Sequence, residues 1–256
     1  TSTMLVFDIE TGPLPDEQLR ELYQPLDESE IEGLVTGEFD PLSVRTGNLK
    51  DPGKIQEKID AARQAHDAAK TNSAAIIAAA KQQHFTEFVE RAALSAITGR
   101  VLAIGYFASE SGNLLIDHGD GDESKLLAAF WAKYAKCRSA GRKLVGHNCH
   151  GFDIPFMVRR SWLLEIDVPS TLFDRGKWLD PIFVDTMSLW GCGGREPVKL
   201  DMLGQAFRVG RKTEGVNGGD FHKLWFGSEE ERAQAIEYLS QDLRLTAAVA
   251  GRMCVI

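Results

Sequence analysis

The chain has 256 residues, an apolar share of 43% and a formal charge of −8, enough for one large domain or for a domain with a sizeable insertion. No run of about 18 apolar residues occurs, which argues against a membrane span. The four cysteines, Cys137, Cys149, Cys192 and Cys254, have no CxxC spacing, which argues against a disulfide framework or a zinc knuckle and suits a reduced, cytoplasmic protein.

Thr1-Ser2-Thr3 leads straight into the apolar run Met4-Leu5-Val6-Phe7, with none of the architecture of a signal peptide. That run predicts a buried strand continuing into Phe7-Asp8-Ile9-Glu10-Thr11. Residues two apart in a strand share a face, so Asp8 and Glu10 point one way and Ile9 the other. Two carboxylates side by side at the end of an apolar strand repel one another and lose hydration. A hard divalent cation, Mg²⁺ or Mn²⁺, is the simplest partner for such an oxygen-only pair. A solvated strand end with two surface acids is the alternative.

Gly12-Pro13-Leu14-Pro15 breaks the strand. Residues 13–49 carry nine acids and two bases, which leaves the rest of the chain at only −1. The net charge therefore neither supports nor excludes a polyanionic substrate. This acidic stretch, interrupted at Gly33, Gly37, Pro41 and Gly47, reads as a surface excursion. Residues 51–95 are rich in helix formers. Steps of three and four join Ile55, Ile59, Ala62, His66, Ala69, Ser73, Ile76 and Ala80 into a heptad-like seam of mostly small residues. Thr71-Asn72-Ser73 predicts a break, hence a helical hairpin or arm with nearly balanced charge. It either grips a substrate or partner or is a self-packed insertion.

Beyond it, Val101–Phe107, Asn113–Asp117, Lys143–Asn148 and Ile182–Asp185 read as four further strands. Asp122 or Ser124 is placed to cap a helix running to about Lys136. Gly151-Phe152-Asp153-Ile154-Pro155 opens another to about Glu165, with Pro155 tolerated in its first turn. Leu200–Phe207 and Glu229–Met253 complete the helices, and Gly215–Gly219 reads as a loop. Strands followed by strand–helix alternation predict a three-layer α/β domain with a mixed sheet. The domain comprises residues 1–12 and 98–256, with 13–97 inserted.

Two sites in this core supply further carboxylates. Asp153 follows a strand at a helix start, where the helix dipole favours an anion. Tyr238 and Asp242 stand one turn apart on one helix face. Singly, each has a bland reading: a helix N-terminal acid, and a surface acid beside a packed tyrosine. His147, Cys149, His150 and Cys192 fit no common zinc spacing, and Asp185 is either an extra metal neighbour or a strand-end acid.

Taken together and in this order, Phe-Asp-x-Glu-Thr on the first strand, His-Asn and then Phe-Asp at a helix start, and Tyr-x-x-x-Asp on the last helix resemble the DEDD superfamily of 3′–5′ exonucleases, the DnaQ-like group. The tyrosine four residues before the last acid is similar to that of the tyrosine-bearing branch; Glu237 stands at the alternative position. The run 151–156 with Arg159 and Arg160, Lys199-Leu200-Asp201 before a helix, and Lys212 after it resemble the proofreading exonuclease domains of family B DNA polymerases. The resemblance covers residues 4–12 and about 98–253.

The resemblance implies a ribonuclease H-like fold with a five-stranded mixed sheet and two Mg²⁺ or Mn²⁺ ions per site. It makes Asp8, Glu10, Asp153 and Asp242 the metal ligands. Two such ions supply an activated water and charge relief at the leaving oxygen. Tyr238 would orient the water, since a free phenol with pKa near 10 is a poor general base. Thr11, Asn148, Phe152 and Lys212 are the expected substrate contacts, with Asn148 either steering Asp153 or simply forming a turn. Arg159, Arg160, Lys199 and Arg211 are candidate phosphate contacts or solvated charges, and Phe152 or Trp225 a base-stacking ring or core packing. The implied activity is release of nucleotides from the 3′ end of single-stranded DNA. A 3′–5′ exoribonuclease and a non-catalytic nucleic-acid-binding or assembly module are the rivals. A polymerase in trans, or a second copy of the chain, is the partner the arm suggests.

Overall fold

The computed structural model describes residues 4–27, 29, 37–174, 179–211 and 218–254. Gly33, Lys212 and residues 215–217 of the expected loop lie outside them. The chain divides into two compact units, one of Thr1–Leu19 with Arg91–Ile256 and one of Arg20–Glu90.

The first unit is built on a five-stranded mixed sheet in the order β3-β2-β1-β4-β5. Its central strand β1 (Met4–Pro13) pairs antiparallel with β2 (Gly99–Ala108) and parallel with β4 (Lys143–Gly146). The outer strands are β3 (Asn113–Asp117), antiparallel to β2, and β5 (Phe183–Asp185), parallel to β4. All five strands overlap the expected apolar runs, but β1 runs on through Gly12 and Pro13, paired with Arg100 and Gly99, where a break is expected, and β4 stops at Gly146 instead of Asn148. The period of two decides which face each residue serves. Leu5, Phe7 and Ile9 enter one core with Phe130 and Tyr134 of the helix Glu123–Ser139 and Met157 of the helix Asp153–Leu163. Met4 and Val6 enter the other core with Leu239 and Leu243 of the helix Glu229–Arg252. Helices thus cover both faces of the sheet, the three layers expected.

Local chemistry fixes the helix ends. Asp122, not Ser124, caps Glu123–Ser139 by accepting from the Ser124 and Lys125 N–H groups. Ser228 and Glu231 form a reciprocal capping box at the start of Glu229–Arg252, which satisfies two donors that have no intrahelical partner. Gly105 lets this last helix lie against β2, because a Cβ there would come within 2.5 Å of Leu243 Cδ1. Among the described residues no helix is long and apolar enough to cross a membrane.

Asp180, just ahead of β5, is buried and accepts from the Ile182 N–H (2.9 Å), the Tyr134 hydroxyl (3.0 Å) and Arg138 Nε (2.6 Å). Burial alone would raise its pKa, but these donors outweigh burial and hold the carboxyl below its ordinary value. A depressed carboxylate contributes stability that is complete above its unfolded pKa of about 3.9 and is lost as pH falls through the lower folded value. Asp180→Asn is therefore expected to lower the melting temperature at pH 7, and the gap to wild type should close as the pH falls below 3.9. Thermal melts across that range test it, and a gap independent of pH would contradict it.

In the second unit the helix Pro52–Thr71 ends at Asn72 and the helix Ser73–Ala92 begins directly after it, at the expected break. The predicted seam from Ile55 to Ala80 is half-buried at every position, and no residue of Pro52–Thr71 is fully buried. Phe39 lies against the seam, its ring centre 5.6 Å from that of His66 and 4.9 Å from the Arg63 guanidinium. Tyr23 adds an aromatic cluster, its hydroxyl 2.8 Å from His84 Nδ1 and its ring against Phe85 and Phe88.

Candidate metal centre

Asp8 and Glu10 extend from the same face of β1, and Asp242 reaches them from the last helix. One carboxylate oxygen of each lies within 4.8 Å of the others. Residues separated by more than 230 positions are therefore neighbours. Octahedral Mg²⁺ holds oxygens at about 2.1 Å, so donors on opposite sides of it stand about 4.2 Å apart. Three hard oxygen donors at the observed spacing fit such an ion with only a small closure. Asp8 is half-buried, while Glu10 and Asp242 are buried, so their proximity is costly without a cation.

Asp153 stands directly behind this trio. Its Oδ1 accepts the Ile9 backbone N–H at 3.2 Å, and its carboxyl is also hydrogen-bonded with that of Asp8. Burial pushes the Asp153 carboxyl up to about 7, against the Ile9 N–H, its own backbone N–H and the Asp8 contact, all of which favour the ionised form. A buried acid poised in this way would ionise readily beside a divalent cation.

The trio opens into a cavity of about 700 Å³ that is also lined by Tyr238, Asn148, Phe152 and Lys199. Tyr238 sits one helical turn before Asp242, as the spacing predicts. Asn148 has φ +61°, the left-handed region that asparagine tolerates. The loop carrying it is held by Asp185, whose carboxylate accepts the Asn148 N–H (2.8 Å), the His150 N–H (3.0 Å) and the Met187 N–H (2.9 Å). Asp185 is thus a loop clamp and the cap of the short helix Thr186–Trp190. An Asp-Thr pair ending a strand is the signal that marks it. His147 lines the cavity with Nδ1 2.8 Å from the Thr186 hydroxyl and Nε2 2.9 Å from the Val198 carbonyl. Among the described residues only Asp8, Glu10 and Asp242 form a metal-sized group of three or more, so His147, Cys149, His150 and Cys192 gather no zinc site. The apolar wall of Met187, Pro197 and Val198 carries no sequence pattern that would have announced it.

Several other candidates lie elsewhere. Thr11 does not line the cavity: β1 is bulged between Glu10 and Thr11, and the buried Thr11 hydroxyl donates to the Ala93 carbonyl at 2.7 Å. Arg160 is not a phosphate contact. It is buried and forked onto Glu123, with Nε–Oε1 at 3.0 Å and Nη2–Oε2 at 2.7 Å. Trp225 is core, stacked on Phe221 and covered by the Arg232 guanidinium. Arg159 and Arg211 are exposed and lie outside the cavity lining, and Lys212 is outside the described residues.

A family model described as the RNase_H superfamily matches residues 89–254. The matched span excludes β1, so the placement of Asp8 and Glu10 in the site rests on geometry. No curated protein matches the chain. Among solved structures, the family B DNA polymerase from the hyperthermophilic archaeon Pyrobaculum calidifontis is similar with a TM-score of 0.51 and 20% identity, over 64% of this chain. The match spans only 23% of that polymerase, and it speaks for the fold.

Proposed function

The chain belongs to the RNase_H superfamily, and from that premise we propose that it is a metal-dependent 3′–5′ exonuclease acting on single-stranded DNA by two-metal-ion hydrolysis. The convergence of Asp8, Glu10 and Asp242 within 4.8 Å carries this reading. Divalent cations held there would supply an activated water and charge relief at the leaving oxygen. Asp8, Glu10 and Asp242 would hold one divalent cation, and Asp153, hydrogen-bonded with Asp8, would help hold a second. The Tyr238 hydroxyl, one helical turn before Asp242, would orient the attacking water by hydrogen bond. Asn148 and Phe152 border the same cavity and position the terminal nucleotide. The Phe152 ring, packed on Phe156 at 5.4 Å between centroids, offers a flat face to a base.

The test is purified protein with Mn²⁺ and a 5′-labelled single-stranded DNA oligomer. A ladder that shortens stepwise from the 3′ end, and that Asp8→Ala fails to produce, is the expected result. Absence of shortening, or equal shortening by the variant, refutes the proposal. An RNA oligomer of the same sequence in the same assay decides the sugar, because recognition there turns on the 2′-OH.

A further inference from the structure

A second cavity, of about 430 Å³, lies at the far end of β1. The chain that carries Glu10 reaches it four residues later, at Leu14 just past the end of β1, roughly 13 Å along an extended chain. Its walls bear two guanidinium groups in unlike states. Arg160 is satisfied: Glu123 takes its fork, and the Ala96 carbonyl accepts Nη1 at 3.1 Å. Glu123 is satisfied in turn, since its Oε1 also accepts the Val101 N–H at 2.8 Å. Asp122, the other acid on the wall, is occupied in capping the Ser124 and Lys125 N–H groups. Arg100 is different. It is half-buried, its Nε is buried with no hydrogen-bond partner, and among the described residues no carboxylate pairs with it directly; Glu123 attracts it only from a distance, against the repulsion of Arg160. Its guanidinium lies 5.2 Å from the centre of the Phe226 ring, and that ring is 59% exposed. His118 borders the cavity as well, its ring edge-on to Trp225.

A partly dehydrated guanidinium with an unused donor needs an anion. The planar fork of arginine selects phosphate or carboxylate, and an exposed aromatic face beside it suits a nucleobase. We propose that this cavity is a second nucleotide-binding site, in which Arg100 takes a phosphate and Phe226 stacks on the adjoining base. The identity of the ligand rests on the nuclease reading. Its phosphate comes either from the body of a strand whose 3′ end occupies the metal centre or from a free mononucleotide.

The proposal is tested without hydrolysis, in EDTA, by anisotropy of a fluorescein-labelled single-stranded 12-mer between about 50 and 200 mM salt, and separately by calorimetric titration with dAMP. Arg100→Gln is expected to weaken strand binding about tenfold and to flatten the salt slope by about 0.7, one phosphate contact on a single strand. Arg100→Lys should restore the slope without the full affinity. Phe226→Ala should weaken binding and leave the slope unchanged, because stacking releases no counterion. Binding of dAMP that Arg100→Gln abolishes, with strand affinity unchanged, would assign the same site to the free nucleotide. Exposed Arg252 supplies the control: if Arg100→Gln and Arg252→Gln behave alike in both arms, the proposal is overturned. Should Arg100→Gln melt early, Arg100→Lys and Phe226→Ala carry the test. The Mn²⁺ assay and these titrations fail independently, so a silent nuclease assay leaves the binding result standing.

Discussion

Asp242→Asn is expected to cut nuclease activity by about a thousandfold or more, roughly 4 kcal/mol of transition-state stabilisation. The same substitution should leave the metal-free protein at least as stable as wild type. Asp242 is a buried carboxyl crowded against two others, and the amide keeps its size while removing one acid from that crowd. Metal linkage makes the effect separable from misfolding. A ligand at about a hundred times its dissociation constant stabilises the native state by about 2.7 kcal/mol, which for a domain of this size is about 5–10 °C in melting temperature. Wild type should show that rise on adding Mn²⁺, and Asp242→Asn should lose most of it. Paired melts with and without Mn²⁺ read this directly. A variant that keeps the full rise would remove Asp242 from the metal centre and with it the mechanism proposed.

That centre was legible because its parts follow the periods of regular structure. Alternation along β1 puts Asp8 and Glu10 on one face whatever the neighbouring strands do, and a spacing of four puts Tyr238 above Asp242 on any helix. Bringing the two pairs together required the fold, which the order of apolar runs supplied: four strands after the insertion, then a last helix laid on the sheet. What escaped the sequence was set by contacts with no period. A bulge after Glu10 turned Thr11 away from the cavity, and nothing in Glu-Thr-Gly-Pro marks a bulge. The Asp-Thr pair marks Asp185 as a helix cap, but its grip on the Asn148 loop shows only once that loop is seen to fold back on it. Arg159 and Arg160 look alike as adjacent bases. Yet Asp153, Met157 and Arg160 follow steps of four and three and are all buried, so the helix phase already distinguished Arg160 from its exposed neighbour.

Arg160→Ala is the stability counterpart of Asp242→Asn. Both partners of the Arg160–Glu123 pair are deeply covered, with side-chain exposures of 6% and 12%, so screening by solvent is weak. Removing one partner strands a carboxylate in low dielectric, at a cost of about 3–5 kcal/mol. Arg159→Ala, one residue away on the exposed side, should change stability by no more than about 0.5 kcal/mol. The contrast in melting temperature between these neighbours therefore measures burial rather than charge. Replacing the pair is predicted to be milder than breaking it. In Arg160→Met with Glu123→Gln neither member of the pair is left as an unpaired charge, and the glutamine oxygen can still accept the Val101 N–H that Glu123 now holds. If this double variant melts as low as Arg160→Ala, the loss lies in the packing of the arginine stem and its Ala96 contact, and the ion pair is not what holds the start of β2 to these two helices.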